Sequence, residues 1–410
     1  MNPSDAHLRF RFRRMTRAAW IRIAAVATGL LVATCVEAAP RVPRDDAEVL
    51  ERLPLAPRGV AVRALQADRA ALARDPTNLG LALRLARAYS EIGRSSGDPR
   101  YSGYAEAVLR PWWHLKNPPT AVLTMRATIE QRAHRFEDAL TDLSTVLARD
   151  PMNVQARFTR STIYQVQGRF DAASRECDTF DRRTSRLILV ACKSAADAAS
   201  GRLAESYTQL AGALESSADA SPALRAWIAT GLAEMAERGG KSKDAETRYR
   251  EAMALDPDDF YLLGAWSDFL LDRGREREVV ALLASRTTSD PLLLRYTIAL
   301  KRLASPDADR WREQLSSRFD ASRRRGDKVH LREEARFALQ VERDPKRALT
   351  LARENWKVQR EAADARILLE AAWATADDPV LREIGAWFRR TRFEDVRCEA
   401  ILRGAAGRLA

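Results

Sequence analysis

The 410-residue chain is poor in the residues from which metal and catalytic sites are usually built. Histidine occurs four times, at His7, His114, His134 and His330, widely separated and with no Cys-x2-Cys or His-Glu-x2-His spacing, so no metal-ligand set is present. There is no Gly-x-Ser-x-Gly elbow, no phosphate-cradling glycine loop and no dinucleotide fingerprint, so the sequence implies no catalytic residues and no cofactor. Aromatics are only 7% of the chain, and β-branched runs with period-two alternation are absent, which removes the strand as a building element. Lysine is scarce: it supplies 8 of the 68 basic residues, and the +12 net charge rests on arginine interleaved with acid, as from Arg273 to Glu278. A nucleic-acid footprint needs clustered charge and stacking aromatics, and this pattern reads instead as a solvated helical surface.

What is abundant is alanine, leucine and arginine, with 46% hydrophobic residues, a composition that predicts an almost entirely helical protein. At this length one core does not suffice, so either several domains or a repeat array is expected. The N-terminus has its own order. Six arginines from Arg9 to Arg22 precede an apolar run, Ile23 to Val36, and the small residues Ala38 and Ala39 follow. That is the order of a secretory signal peptide over 1–38, cleaved after Ala38, and the run is shorter than the roughly 20 residues of a bilayer span. Met15 is an alternative start, and Cys35 an alternative point of lipidation. Residues 39–57 form a proline-rich leader, and no transmembrane span is expected in the mature chain.

A fixed period organises the rest. Arg135-Phe136-Glu137-Asp138-Ala139 returns as Arg169-Phe170-Asp171-Ala172-Ala173. Asp256-Pro257 returns as Asp290-Pro291, and Asp344-Pro345 as Asp378-Pro379, each pair 34 residues apart. Within the clearest unit, Ala226 to Asp259, stand Leu232-Ala233, then Ala245, Tyr249 and Pro257. Thr120 to Asn153 offers Leu123, Ala127, Ala139, Leu143 and Pro151, with Glu130 at a position usually aromatic. The period and these residues resemble the tetratricopeptide repeat family, a helix-turn-helix unit with small or aromatic residues at fixed places. The resemblance covers 120–292 well. Residues 58–119 and 293–410 read as degenerate repeats, the first with an insertion and the second with a cap. Register slack falls near Asp181 to Ser185 and Ser216 to Pro222.

The resemblance implies an all-α, right-handed superhelical solenoid of antiparallel helix pairs in which each unit contacts only its neighbours. Small residues at 127, 139, 173, 233 and 245 let helices approach. Gly168, Gly201, Gly240 and Gly274 fall in turns, and the Asp-Pro pairs supply N-caps. Trp112-Trp113 is expected to wedge an insertion against the next unit, with an aromatic shelf for a peptide or sugar as the alternative, while Trp227, Trp266, Trp311, Trp356 and Trp373 fill core and His134 is exposed in a turn. In this family ligands lie along the concave face of the first helices. That placement nominates Thr128, Gln131, Arg132, Gln155, Phe158, Thr162, Gln165, Trp227, Thr230, Glu234, Tyr261 and Asp268 as contacts for a protein or peptide partner. The Lys and Asn set that clamps a C-terminal carboxylate is missing. Register and an oxidising compartment together pair Cys177 with Cys192 across two units, leaving Cys398 free. The resulting expectation is an exported interaction scaffold, periplasmic or secreted, that serves assembly or export of an envelope component. The alternatives are a carbohydrate- or peptidoglycan-active helical-repeat enzyme and a binder of an anionic surface; oligomeric state stays open.

Overall fold

A computed structural model describes residues 60–180, 184–326 and 329–409. The signal peptide, the leader, Cys35 and most of the slack at Asp181 to Ser185 lie outside the described residues. Contacts divide the chain into Met1–Val62 and Arg63–Ala410, and the fold described here is that of the second part.

Twenty helices and no strand occur among the described residues. Helix α1 (Val60–Arg74) precedes a series of antiparallel pairs: α2 (Leu79–Ser96) with α3 (Arg100–Trp113), α4 (Thr120–Arg132) with α5 (Phe136–Arg149), α6 (Val154–Val166) with α7 (Phe170–Asp178), and α8 (Arg186–Asp197) with α9 (Leu203–Glu215). The series continues with α10 (Pro222–Arg238) and α11 (Ser242–Leu255), α12 (Phe260–Leu271) and α13 (Glu276–Leu283), α14 (Asp290–Arg302) and α15 (Ala308–Arg324). Then α16 (Leu331–Phe337) runs through a π-turn, Ala338–Glu342, to α17 (Pro345–Trp356), followed by α18 (Ala362–Thr375), α19 (Asp378–Thr391) and α20 (Val396–Leu409).

The predicted small residues do what spacing asked of them. Ala127, Ala139, Ala173, Ala233 and Ala245 are fully buried between helices, where a longer side chain would hold the backbones apart. The turn inside each pair is equally regular. Gly97, His134, Gly168, Gly201, Gly240, Gly274 and Ala304 all have positive φ. From the second pair to the seventh, the next N–H donates back to a carbonyl five residues earlier, as in Arg169 to Tyr164 (2.7 Å) and Lys241 to Ala236 (2.8 Å). This closes the first helix with a left-handed residue and satisfies its last carbonyls.

The Asp-Pro reading needs one correction. Asp344 does cap α17, its side chain accepting from the Arg347 N–H with Pro345 in the first turn. Ahead of α6 and α12, however, the caps are Asn153 and Asp259, three residues beyond Asp150 and Asp256. There the pair shapes the turn between units, Asp150 accepting from Met152 N and Asn153 Nδ2. Trp113 is buried and Trp112 packs beside it against the first units, as the insertion reading expected. Trp266 and Trp356 are buried and Trp311 half-buried in core, but Trp227 and Trp373 keep 47% and 41% of their surface exposed, contrary to expectation. Trp227 lies on the outward stripe of α10, seven residues before Glu234, and helical spacing keeps both off the core side.

Cys177 on α7 and Cys192 on α8 form the disulfide, with Cα atoms 5.8 Å apart, and Cys398 is free and buried. In the chain-entropy picture a loop of 15 residues contributes about 3 kcal/mol. Glu130 occupies its aromatic position buried, with Oε2 unpartnered and Asp142 nearby bonded to Arg126. Burial first, then the Asp142 charge, push its pKa to about 7.

Two outcomes follow for stability. A left-handed conformation costs a non-glycine residue about 1 kcal/mol, so Ala304→Gly is expected to raise the thermal midpoint, gaining about 0.5–1 kcal/mol. Glu130 has a folded pKa above its unfolded value, so its contribution is full below pH ~4.5 and lost as pH rises through ~7. Denaturant titration should therefore find Glu130→Gln more stable than the parent at about pH 8, by at most ~3 kcal/mol, the difference vanishing in acid.

Candidate functional site

The nominated residues sit on the first helices of four pairs, at three-, four- and seven-residue intervals that place them on common stripes. Their surroundings differ. Thr128, Thr162 and Thr230 each donate to the carbonyl four residues back in their own helix, and Thr230 is buried. Arg132 points to the preceding pair, its Nη1 donating to the Ser90 carbonyl (3.3 Å), and Gln165 Nε2 donates to Ser161 Oγ. Gln131 is half-buried, and Gln155 is exposed at the start of α6. The structure brings Phe158 of α6 and Trp227 of α10 together across the intervening pair, with ring centroids 6.0 Å apart. It also joins α12 to α10, the Tyr261 hydroxyl donating to Glu234 Oε1 at 2.7 Å. Tyr261 nonetheless keeps 55% of its surface exposed. Burial, with the Glu237 and Glu361 charges, lifts the Glu234 carboxyl to about 7. The adjacent Glu234 charge in turn drives the Tyr261 phenol well above its ordinary range.

Asp268 is held differently. Arg295 Nη2 (2.5 Å) and Arg336 Nη1 (2.6 Å) both bind its carboxylate, and although burial works in the opposite direction, they hold its pKa at about 2. Its acceptor capacity is spent within the chain.

Arg336 belongs to a segment that folds back on earlier units, an arrangement the period does not encode. Gln359 Nε2 meets His134 Nε2 (3.4 Å), and the Arg360 N–H donates to the Val166 carbonyl (2.7 Å). Glu394 accepts from the Leu203 N–H through its side chain and from Arg238 Nε through its carbonyl. Phe170 packs on Trp387 and Phe393, each at 6.0 Å, and Arg238 lies over the Phe393 ring (4.4 Å). Further along, Arg397 binds Glu237 (2.7 Å) and Arg366 binds Asp272 through two bonds of 2.5 and 2.8 Å. The units therefore contact far more than their neighbours. Even the first pair touches the sixth, through Arg94 and Asp259 (2.5 Å) and through Gly97, where a Cβ would lie 2.4 Å from the Phe260 ring.

His134, expected to be exposed, is covered by this segment and stacks on Phe136, and burial lowers its pKa. Glu237, Asp272, Arg366 and Arg397 escaped sequence reasoning because their partners stand about 90 to 160 residues away, a distance no periodicity signals. They also line a polar cavity of about 390 Å³ with Ser242 and Arg273. Two variants test the back-folded segment. At Gly201 a Cβ would lie 2.8 Å from Arg392 Cβ, on a backbone with φ 89°. Gly201→Ala should thus cost more than ~1 kcal/mol by thermal unfolding. Arg397→Ala should open the C-terminal helices to limited proteolysis while leaving the first pairs protected.

No family model and no curated protein matches the sequence. Among solved structures, the chain is similar to the Cut9–Hcn1 hetero-tetramer of the APC/C, at 13% identity over 84% of this chain and 73% of that one, with a TM-score of 0.45. It is also similar to a tetratricopeptide repeat protein from Parabacteroides merdae (14% identity, 71% and 98% covered, TM-score 0.35). A third is yeast Tom70 (12% identity, 85% and 92% covered, TM-score 0.31). These likenesses concern the fold alone. Helix pairs on a 34-residue period, left-handed turns within each pair and alanines between them make this chain a tetratricopeptide-like helical solenoid.

Proposed function

We propose that the chain is an exported interaction scaffold that holds a protein or peptide partner against the first-helix face of its third, fifth and sixth pairs. One observation carries the reading: Phe158, Trp227 and Tyr261 leave the core and stand on that face, Trp227 and Tyr261 about half exposed. Aromatic anchors dominate the energetics of protein interfaces, and here several rings gather on one face instead of standing singly. Thr162, Gln165 and Gln155 border the rings with polar groups, while Thr128, Gln131 and Arg132 extend the same face toward the first pairs.

Export is supported by the order of charge, apolar run and small residues over 1–38, and by the disulfide, which persists in oxidising compartments. Among the described residues no helix is long and apolar enough to cross a membrane. The role assigned is in assembly or export of an envelope component.

Capture of the partner from the envelope fraction should weaken at least about tenfold, ~1.4 kcal/mol, in the double variant Phe158→Ala and Trp227→Ala, with helix content unchanged by circular dichroism. Undiminished capture would move the site off this face. N-terminal sequencing should begin at Ala39, and thiol titration of the denatured, unreduced mature protein should find Cys398 as its single free thiol.

A further inference from the structure

We propose that this face selects a partner segment carrying a basic side chain, with Glu234 as the counter-ion and Trp227 and Tyr261 as the rings beside it. The inference rests on the reading of the face as a binding surface and names the chemistry it accepts.

The argument starts from how the chain treats its acids. Asp142 is paired with Arg126, Glu176 with Arg157 and Arg160, Asp268 with Arg295 and Arg336, Asp272 with Arg366, and Glu237 with Arg397. Glu234 departs from this habit, as Glu130 does, but Glu130 is buried between its helices whereas Glu234 stands on the outward face. Its carboxylate accepts from the Tyr261 hydroxyl, and among the described residues no lysine or arginine nitrogen stands within 4.0 Å of it. The cations whose charge reaches Glu234 or its partner Tyr261 are committed elsewhere. Arg238, on the same helix, donates to the carbonyls of Glu394 and Ala198 and lies over Phe393. Arg332, from the back-folded segment, binds Glu361 and Asp364. The other charges that act most strongly on Glu234 are Glu237 on its own helix and Glu361 at the head of α18, both negative, with the Tyr261 hydroxyl on α12 bonded to it.

An incoming ammonium or guanidinium would relieve this repulsion and take up the unused acceptor capacity. The rings supply the rest of the recognition. Trp227 lies two helical turns before Glu234 on one stripe, about 10 Å away, and an indole face attracts a cation while its body accepts the aliphatic stem of Lys or Arg. The chain as a whole carries +12, so its average field repels cations, and attraction at this point must be local.

Fluorescence anisotropy on the mature protein tests this with fluorescein-labelled peptides of alternating Arg and Ser, and with counterparts in which Gln or Glu replaces Arg. The Arg peptide should bind most tightly. Glu234→Gln should weaken it about tenfold while leaving the Gln peptide unaffected, and Trp227→Ala should weaken both. Lowering the pH from about 8 to about 6 protonates Glu234 and should weaken Arg-peptide binding in the parent but not in Glu234→Gln. If Arg and Gln peptides bind alike, or Glu234→Gln leaves Arg-peptide binding unchanged, while Trp227→Ala still weakens binding, the charge selection is overturned and the binding face stands. If no peptide responds to Trp227→Ala, with Trp227→Phe as the folding control, both fall.

Discussion

The pairing of carboxylates on and at the ends of the first helices with arginines from the last third of the chain is the constraint on which the rest of the structure depends. Glu237 is far enough from bulk water that an ionised carboxylate there needs a cation, while Asp268 is half-buried and Asp272 stands at the edge of the cavity that Glu237 lines. Removing one member of such a pair leaves a desolvated charge and costs about 3–5 kcal/mol, whereas the intact pair does little more than break even. The pairs therefore act less as glue than as a specification. They fix where residues 336, 366 and 397 must lie, and the helices between them have one way to follow.

This explains why legibility in the sequence stops where it does. The helix pairs, the alanines at 127, 139, 173, 233 and 245, and the glycines at 168, 201, 240 and 274 were readable because each holds a fixed place in a repeated unit, and a repeat is a local signal. His134 and Ala304 occupy the same left-handed position without being glycine, so composition hides them although the backbone does not. The back-folded segment was illegible for a different reason. With arginine supplying nearly all of the basic charge, nothing distinguishes Arg397 from its many solvated counterparts until its partner is seen. The same ambiguity affected the candidate face: Asp268 and Glu234 stand at equivalent positions in successive units, yet one is neutralised within the chain and the other is not.

The two kinds of surface meet at Asp268 and Glu234 but favour different ends of the helices. Contacts of the back-folded segment concentrate at the turns, near the C-terminal ends of α4, α6, α8, α10 and α12, where exposed carbonyls favour the arginines and lysine that begin each following helix. The aromatic face uses the earlier turns of α6, α10 and α12. The disulfide spans one of the two places where the register slips, with the Ser161 hydroxyl beside both sulfurs, and it holds α7 to α8 where sequence spacing alone would leave their relation loose.

The turns within the pairs carry a consequence for how such a chain can vary. Loops are ordinarily where a lineage adds or deletes residues, because water accommodates the change. Here Gly168, Gly201 and Gly240 lie within contact distance of Arg360, Arg392 and Val396, so an added residue at any of them would strike a distant part of the same molecule. The connections between units meet no such barrier at Pro151 and Met152, which are exposed. Length changes in descendants of this sequence should accordingly collect between units and be missing within them, a pattern of tolerated indels that runs along one edge of the array and leaves the other untouched.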